Sequence, residues 1–130
     1  KNAVVQYDKS IETKKELGDN KGLHSSIFNK GQAYFYLDEF NKSISEFRKS
    51  MALQNSDFYM NEKYRYIGMC HYYLGNYDSS SVYLSRSSRF FKEDSIKLLS
   101  IIPFQILTDI KSKNKTDTKP NLELFKRIIS

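Results

Sequence analysis

The chain has 130 residues, which suits one domain with enough apolar side chains for a core. Its formal net charge is +6, yet the basic residues are spread along the chain, so no nucleic-acid partner is expected. The single cysteine, Cys70, excludes an internal disulfide. Only two prolines are present, as suits long helices. The composition therefore predicts a helical domain without a disulfide framework.

The first predicted helix covers residues 1–17 and has the pattern of the second helix of a helical hairpin. Gly18 should end it, because glycine is common just after a helix end. The polar residues that follow favour a new helix from about Leu23, so a long connection is expected over 18–22. Since the hairpin's own first helix precedes Lys1, we expect the chain to be a fragment of a longer protein.

Residues 23–57 and 60–93 are predicted to be two copies of one helical hairpin. The stretch that begins at Gly31 returns 37 residues later at Gly68, with aromatic, apolar and turn residues in nearly the same order. In each copy an apolar helix face ends at a short polar turn, and a second apolar face follows. A period in this range is typical of stacked helical repeats.

Small residues recur where the two helices of each hairpin should cross. Gly31 and Ser43 form such a pair in the first copy, and Gly68 and Ser80 form it in the second. Glycine inside a helix costs roughly 1 kcal/mol relative to alanine, so its recurrence requires a packing reason. We therefore predict that the helices approach closely at these pairs.

Residues 94–130 depart from the repeat and are predicted to form a degenerate last hairpin. A strongly apolar helix is expected from about residue 94 to 110, with a kink or break at Pro103. A lysine-rich loop over 111–119 and a closing helix after Pro120 should follow. The apolar helix exceeds what a solvent-facing cap needs, so self-association through it is one expectation. The residues expected at such a homodimer interface are Ile101, Ile102, Phe104, Ile106 and Leu107.

Equivalent positions of the two copies carry a recurring order of glycine, aromatic and small residues. They are Gly31, Tyr34, Ser43 and Phe47 in the first copy, and Gly68, His71, Ser80 and Leu84 in the second. This order resembles the signature of the tetratricopeptide repeat (TPR) family. The resemblance implies an all-α fold, a right-handed superhelical stack of antiparallel helix hairpins.

The connection at Glu16, Leu17, Gly18 and Asp19 resembles the bacterial long-repeat variety of this family. In those bacterial proteins the repeat array is commonly joined to a histidine kinase or a helix-turn-helix regulator. The resemblance implies the sensory or assembly segment of a larger bacterial signalling or transcription-regulating protein. Such a segment would lie in the cytoplasm or the periplasm.

A ligand groove is implied by the resemblance, because the first helix of each hairpin lines the concave face of such arrays. Residues on that helix turned away from its partner are the ligand candidates. Tyrosine and arginine are frequent anchors of interfaces. A protein or peptide interaction scaffold is therefore the leading function. The expected groove residues are Phe28, Asn29, Gln32, Phe35, Tyr36, Glu62, Arg65, Tyr66, Met69, Tyr72 and Tyr73.

Catalytic and metal-binding patterns are not found in the sequence. His24 and His71 are far apart, and neither has the spacing of a metal ligand pair. Phosphate-binding glycine loops and nucleophile motifs are also missing, so we expect no enzyme, no metal and no cofactor. A remote alternative is nucleic-acid binding through the loop that holds Lys113 and Lys115. The most apolar stretch, 96–107, is too short to span a bilayer.

Overall fold

The computed structural model describes residues 2–53, 56–112 and 118–130, and in these ranges the chain is all-helical, without strands. No helix in them combines the length and the hydropathy that crossing a membrane requires. The predicted helical class is therefore confirmed. The helices are α1 (Asn2–Leu17), α2 (Asn20–Tyr36), α3 (Phe40–Met51), α4 (Asp57–Tyr73), α5 (Tyr77–Phe90), α6 (Ser95–Lys111) and α7 (Lys119–Ile129).

The chain divides into two compact units, Lys1–Tyr66 and Ile67–Ser130, and the division falls within α4. Consecutive helices pack against each other within each unit. In the first unit α2 packs on both α1 and α3, and in the second unit α6 packs on both α5 and α7. This pairing of neighbours is what short connections between antiparallel helices favour.

The core of the first unit contains an apolar cluster that joins α1 to α2. Ile11 of α1 packs with Leu23 and Ile27 of α2, and Leu53 covers the cluster from the segment after α3. Phe47 of α3 is fully buried. Burial of each such side chain is worth about 1.5–3 kcal/mol, so this core is what holds α1 on the domain.

An ion-pair network also ties three helices of the first unit together. Lys30 of α2 places its Nζ atom 2.7 Å from Asp8 of α1 and 3.1 Å from Glu46 of α3. Glu46 is buried, and its second oxygen lies 3.3 Å from the Nζ atom of Lys49. Because removal of one partner would leave a buried charge uncompensated, the network favours one arrangement of the three helices.

The core of the second unit lies between α5 and α6. Leu84, Ile101 and Ile102 are fully buried, and so is Cys70 of α4. Gln105 of α6, on the face that carries the two isoleucines, donates to the Ser88 hydroxyl of α5 at 3.1 Å.

The expectation that Ile101 and Ile102 form a dimer interface is therefore wrong. Both side chains are buried within the unit, because the face of α6 that carries them packs against α5. Phe104 and Ile106 are half-buried, and only Leu107 of the expected set is exposed.

The corners after α1, α2 and α4 share one geometry. Gly18, Asp38 and Gly75 all have positive φ, at 67°, 59° and 81°. In each corner the following residue's amide donates to a carbonyl five positions earlier, over 2.8–3.0 Å. This motif commonly closes a helix at a left-handed residue. Asp38 and Gly75 stand 37 residues apart, so the corner repeats with the period of the sequence.

The connection between α1 and α2 is shorter than the sequence suggests. α2 begins at Asn20, because the Asp19 side chain accepts a hydrogen bond of 2.9 Å from the Gly22 amide and caps the helix. Gly22 thus lies in the first turn of α2, and the expected loop over 18–22 is wrong. By the bounds of the helices, the longer connections instead separate α3 from α4 and α6 from α7.

The two predicted helix crossings are confirmed. The Ser43 hydroxyl of α3 donates to the Gly31 carbonyl of α2 at 2.7 Å, and the Ser80 hydroxyl of α5 donates to the Gly68 carbonyl of α4, also at 2.7 Å. A β-carbon added to Gly31 would lie 3.0 Å from the Phe47 ring. Each hairpin therefore crosses at a glycine, and a serine hydroxyl there bonds the backbone of the neighbouring helix.

The last two helices match the sequence expectation only in part. α7 contains Pro120 in its first turn, as expected of a closing helix. α6 in contrast is not split, and Pro103 lies inside one continuous helix. Pro103 supplies no N–H group to the Leu99 carbonyl, yet the helix runs unbroken from Ser95 to Lys111. Lys113 and Lys115 of the basic loop lie outside the described residues.

Candidate functional site

The expected groove residues are divided between the two units. Most of them lie in the first unit, on α2 and on the first part of α4. Met69, Tyr72 and Tyr73 lie in the second unit, on the last part of α4. Each group is described within its own unit.

Tyr66 is the centre of an aromatic cluster in the first unit. Its ring stacks on Phe47 with centroids 5.1 Å apart, and it meets Phe28 and Phe35 edge to face at 6.1 and 5.6 Å. The Gln32 carboxamide donates to the Tyr66 hydroxyl at 2.9 Å. The side chain is buried, so Tyr66 packs in the interior. The expectation that it faces a ligand groove is therefore wrong.

Arg65 and Glu62 form an internal pair in the first unit. Two N–H groups of Arg65 donate to the two Glu62 oxygens, at 3.3 and 3.1 Å. The guanidinium also lies 4.6 Å from the centroid of the Tyr66 ring. Burial acts to lower the pKa of Arg65, but the hydrogen bonds and charge of Glu62 outweigh it and raise the pKa. The two charged groups therefore pair with each other, whereas both residues were expected to contact a ligand.

An open cavity of about 380 Å³ lies where the first part of α1 meets the last part of α2. It includes three of the expected groove residues and adds two residues of α1 that the sequence reasoning missed. That reasoning considered only the first helix of each hairpin, whereas α1 matches a second helix. The lining residues are Ala3, Tyr7, Asn29, Gln32, Ala33, Tyr36 and Leu37.

Asn29 is a polar lining residue of this cavity that is available to a ligand. Its side chain is half-buried, and in the described part of the chain its carboxamide makes no hydrogen bond or ion pair. Tyr36 is exposed, and the charge of an ionised Tyr66 together with a hydrogen bond to it raises the pKa of Tyr36. The cavity thus offers a carboxamide that can donate and accept beside an aromatic ring.

The second unit carries its own cluster of aromatic side chains. Tyr72 and Tyr73 meet Phe104 of α6 edge to face, at 5.4 and 5.7 Å. The Lys111 ammonium lies 5.3 Å from the Tyr72 centroid and 5.7 Å from that of Tyr77, and the hydrogen bond to Tyr72 raises the pKa of Lys111. Tyr73 is exposed.

Met69 in contrast is buried, so its expected role in a groove is not supported by its placement. The side chain lies in the most deeply buried stretch of α4, next to Gly68 and Cys70.

Metal and acid–base groups give no second site in the described ranges. No cluster of histidine, cysteine and carboxylate side chains there could hold a metal ion. His71 stacks on Tyr83 with ring centroids 5.6 Å apart, and His24 is buried. Both histidines therefore take part in packing.

Comparison of the chain with protein-family models, with curated proteins and with solved structures found no match. The relationship to the tetratricopeptide repeat family thus stays a prediction from the residues.

Proposed function

We propose that the chain is a protein-interaction scaffold that takes an extended peptide segment in the cavity between α1 and α2. The observation that carries this proposal is the Asn29 carboxamide, which lines an open cavity and has no partner in the described part of the chain. Because this carboxamide lines an open cavity, it is available to form hydrogen bonds with a bound segment.

The lining of the cavity favours a particular kind of segment. A carboxamide can accept from a peptide N–H and donate to a peptide carbonyl, so Asn29 suits a peptide main chain. Tyr7 and Tyr36 add aromatic surface with polar tips, and every lining residue is uncharged. The segment should therefore present an uncharged, apolar side chain. The volume is within the ordinary range of ligand sites, about 300–1,000 Å³.

The repeated features of the chain support the wider proposal of a TPR-like array. The glycine–serine crossing and the positive-φ corner both return after 37 residues, as they would in stacked hairpins of one kind. In such arrays binding surfaces are extended and partners are proteins. The role that follows is assembly or sensing within a larger bacterial signalling protein. This role rests on the resemblance to the tetratricopeptide repeat family alone.

A displayed library of random peptides tests the proposal. Selection on the whole chain should enrich segments with an apolar anchor and few charges. Replacement of Asn29 by alanine should weaken binding of the selected peptides by about tenfold, because the hydrogen bonds of its carboxamide to the main chain are lost, as fluorescence anisotropy would measure. The melting temperature should stay unchanged, since the carboxamide has no internal partner.

The matched control is Asn41→Ala, which removes an exposed carboxamide from α3. It should leave the affinity of the selected peptides unchanged. If Asn29→Ala binds those peptides as tightly as Asn41→Ala does, the cavity is not the binding site.

A further inference from the structure

Gln32 is the second carboxamide that lines the peptide cavity, and Tyr66 holds it. The Gln32 nitrogen donates to the Tyr66 hydroxyl at 2.9 Å. In the described part of the chain this carboxamide makes no other hydrogen bond. A carboxamide presents donors at its nitrogen and an acceptor at its oxygen. The bond to Tyr66 therefore leaves the Gln32 oxygen as an acceptor for a molecule in the cavity.

The Tyr66 hydroxyl has a fixed place, because the ring that carries it is packed on several sides. The ring stacks on Phe47 and meets Phe28 and Phe35 edge to face. The residue is only 6% exposed. A side chain that is bonded to such a fixed group has few conformations left. Gln32 is half-buried, and without this bond it would keep much of its rotamer freedom.

The other bonds of the Tyr66 hydroxyl decide which end of the Gln32 carboxamide faces it. A hydroxyl has one hydrogen to donate, and the Tyr66 hydroxyl also hydrogen-bonds to Tyr36. While that hydrogen goes to Tyr36, Tyr66 can only accept a hydrogen bond from Gln32. The Gln32 nitrogen then faces Tyr66, as the structure has it, and the oxygen points away from Tyr66.

We propose that Tyr66 is a positioning residue of the peptide site. Its hydroxyl fixes the Gln32 carboxamide so that the oxygen accepts a hydrogen bond from a main-chain N–H of the bound segment. Tyr66 is buried and does not line the cavity, so it acts through Gln32 and does not touch the segment itself. This inference rests on the peptide-binding function proposed above, and it adds one required N–H group to the segment.

The mobility of the Gln32 carboxamide in the free protein tests the positioning without a peptide. NMR relaxation of its side-chain nitrogen should show restricted motion in the native chain and larger motion in Tyr66→Phe, which keeps the ring and removes the hydroxyl. The matched control is Tyr34→Phe, because the half-buried Tyr34 does not line the cavity and its hydroxyl makes no hydrogen bond in the described ranges. Equal mobility of Gln32 in the native chain and in Tyr66→Phe would overturn the proposal.

Peptides selected from the displayed library measure the effect of Tyr66 on binding. Tyr66→Phe should weaken their binding about threefold to tenfold, because the Gln32 carboxamide must then be ordered when the peptide binds. In a chain that already carries Gln32→Ala, Tyr66→Phe should cause little further loss, since the group that it holds is absent. Equal losses in the two backgrounds would assign Tyr66 a general structural role and refute the positioning.

Methylation of single main-chain nitrogens in a selected peptide locates the N–H that Gln32 accepts. At one position the methyl group should weaken binding to the native chain about tenfold, and it should have little effect on binding to Gln32→Ala. The methyl group changes the free peptide alike in both measurements, so the difference isolates Gln32. If every position loses as much affinity for Gln32→Ala as for the native chain, the Gln32 oxygen accepts no main-chain N–H and the proposal fails.

Failure of this inference differs from failure of the proposed function. If Asn29→Ala leaves the affinity of the selected peptides unchanged, the cavity is not a peptide site, and the inference falls with it. If Asn29→Ala weakens binding and Tyr66→Phe does not, the site is retained and only the positioning by Tyr66 is overturned. Circular dichroism verifies that each substituted chain is helical.

Discussion

His24 shows how burial sets the chemistry of one residue. The side chain is 3% exposed and lies between the rings of Phe28 and Tyr59, with centroids at 6.0 and 5.0 Å. Its Nε2 atom has no hydrogen-bond partner in the described part of the chain. Burial, and then the charge of Lys63, lower the pKa of His24 to about 4. The neutral ring is therefore the form that fits the folded unit.

Stability should depend on pH through this residue. An unfolded histidine has its ordinary pKa of 6.5, whereas folded His24 binds a proton only near pH 4. Between these values the unfolded chain binds more protons, so the free energy of unfolding falls as the pH is lowered from 6.5 toward 4. Above pH 6.5 the contribution is complete. Urea titrations at several pH values across this window would measure the slope.

The control for this prediction is His24→Gln, which cannot gain a charge. It should be less stable at neutral pH, because packing is lost, yet its stability should fall less steeply below pH 6.5. Carboxylates titrate alike in both chains, so the difference between the two slopes isolates His24. Equal slopes would show that the ring is free to take up a proton in the folded state.

Single residues of the site were predictable only where local position decides exposure. Asn29 and Tyr36 line the cavity, as their places on the helix suggested. Tyr66 has the place on α4 that is equivalent to that of Asn29, yet it is buried, and so is Glu62, which was also expected in the groove. Tyr66 packs on Phe47 of another helix, and Glu62 pairs with Arg65. A helical pattern in the sequence does not reveal such pairings.

The crossings of helices are the features of element scale that the sequence predicted best. Gly31 and Gly68 were expected at close approaches because glycine is costly inside a helix, and both lie at such points. The start of α2 was not predictable in the same way. A glycine in the first turn of a helix and a glycine in a loop look alike until the cap at Asp19 is seen.

The two crossing glycines should differ in how well they tolerate a methyl group. A β-carbon on Gly68 would lie 2.7 Å from the Leu84 side chain and 3.2 Å from its backbone nitrogen. Overpacking of this kind costs about 1–3 kcal/mol, more than the roughly 1 kcal/mol gained in helix propensity. We therefore expect Gly68→Ala to lower the free energy of unfolding, as denaturant titration would measure.

Gly31→Ala is the matched substitution at the other crossing. Its β-carbon would meet only the Phe47 ring, at 3.0–3.2 Å, and no backbone atom is among its nearest neighbours. A small shift of the ring can relieve this contact, so the gain in helix propensity should nearly offset the cost. A Gly31→Ala chain less stable than Gly68→Ala would show that the ring cannot move.

At the scale of the whole molecule, the helical class was evident from the composition and the period of the sequence. How much each terminal helix contributes to the buried core was not evident. α7 has apolar residues at helical spacing, yet none of its side chains is buried. α1 is more polar, with a buried Ile11 that joins the core cluster. Periodicity shows that a helix has an apolar face, but not how much of that face is covered.

Truncation from either end should therefore have unequal effects. Removal of residues 113–130 deletes α7 and should lower the melting temperature by only a few degrees, since no buried side chain is lost. Removal of residues 2–17 deletes α1 with Ile11 and the Asp8 partner of Lys30, and should cost several times as much. Calorimetry of the two shortened chains would compare them. A larger loss on removal of α7 would contradict this assignment of the core.

Cys70 is the lone thiol of the chain and is fully buried. A thiol reagent can reach it only when the helices around it separate, so its rate of modification reports how often that part of the chain opens. A cysteine introduced at an exposed position would react far sooner. The native protein is in this way already suited to selective attachment of a dye or spin label, with no cysteine to be removed beforehand.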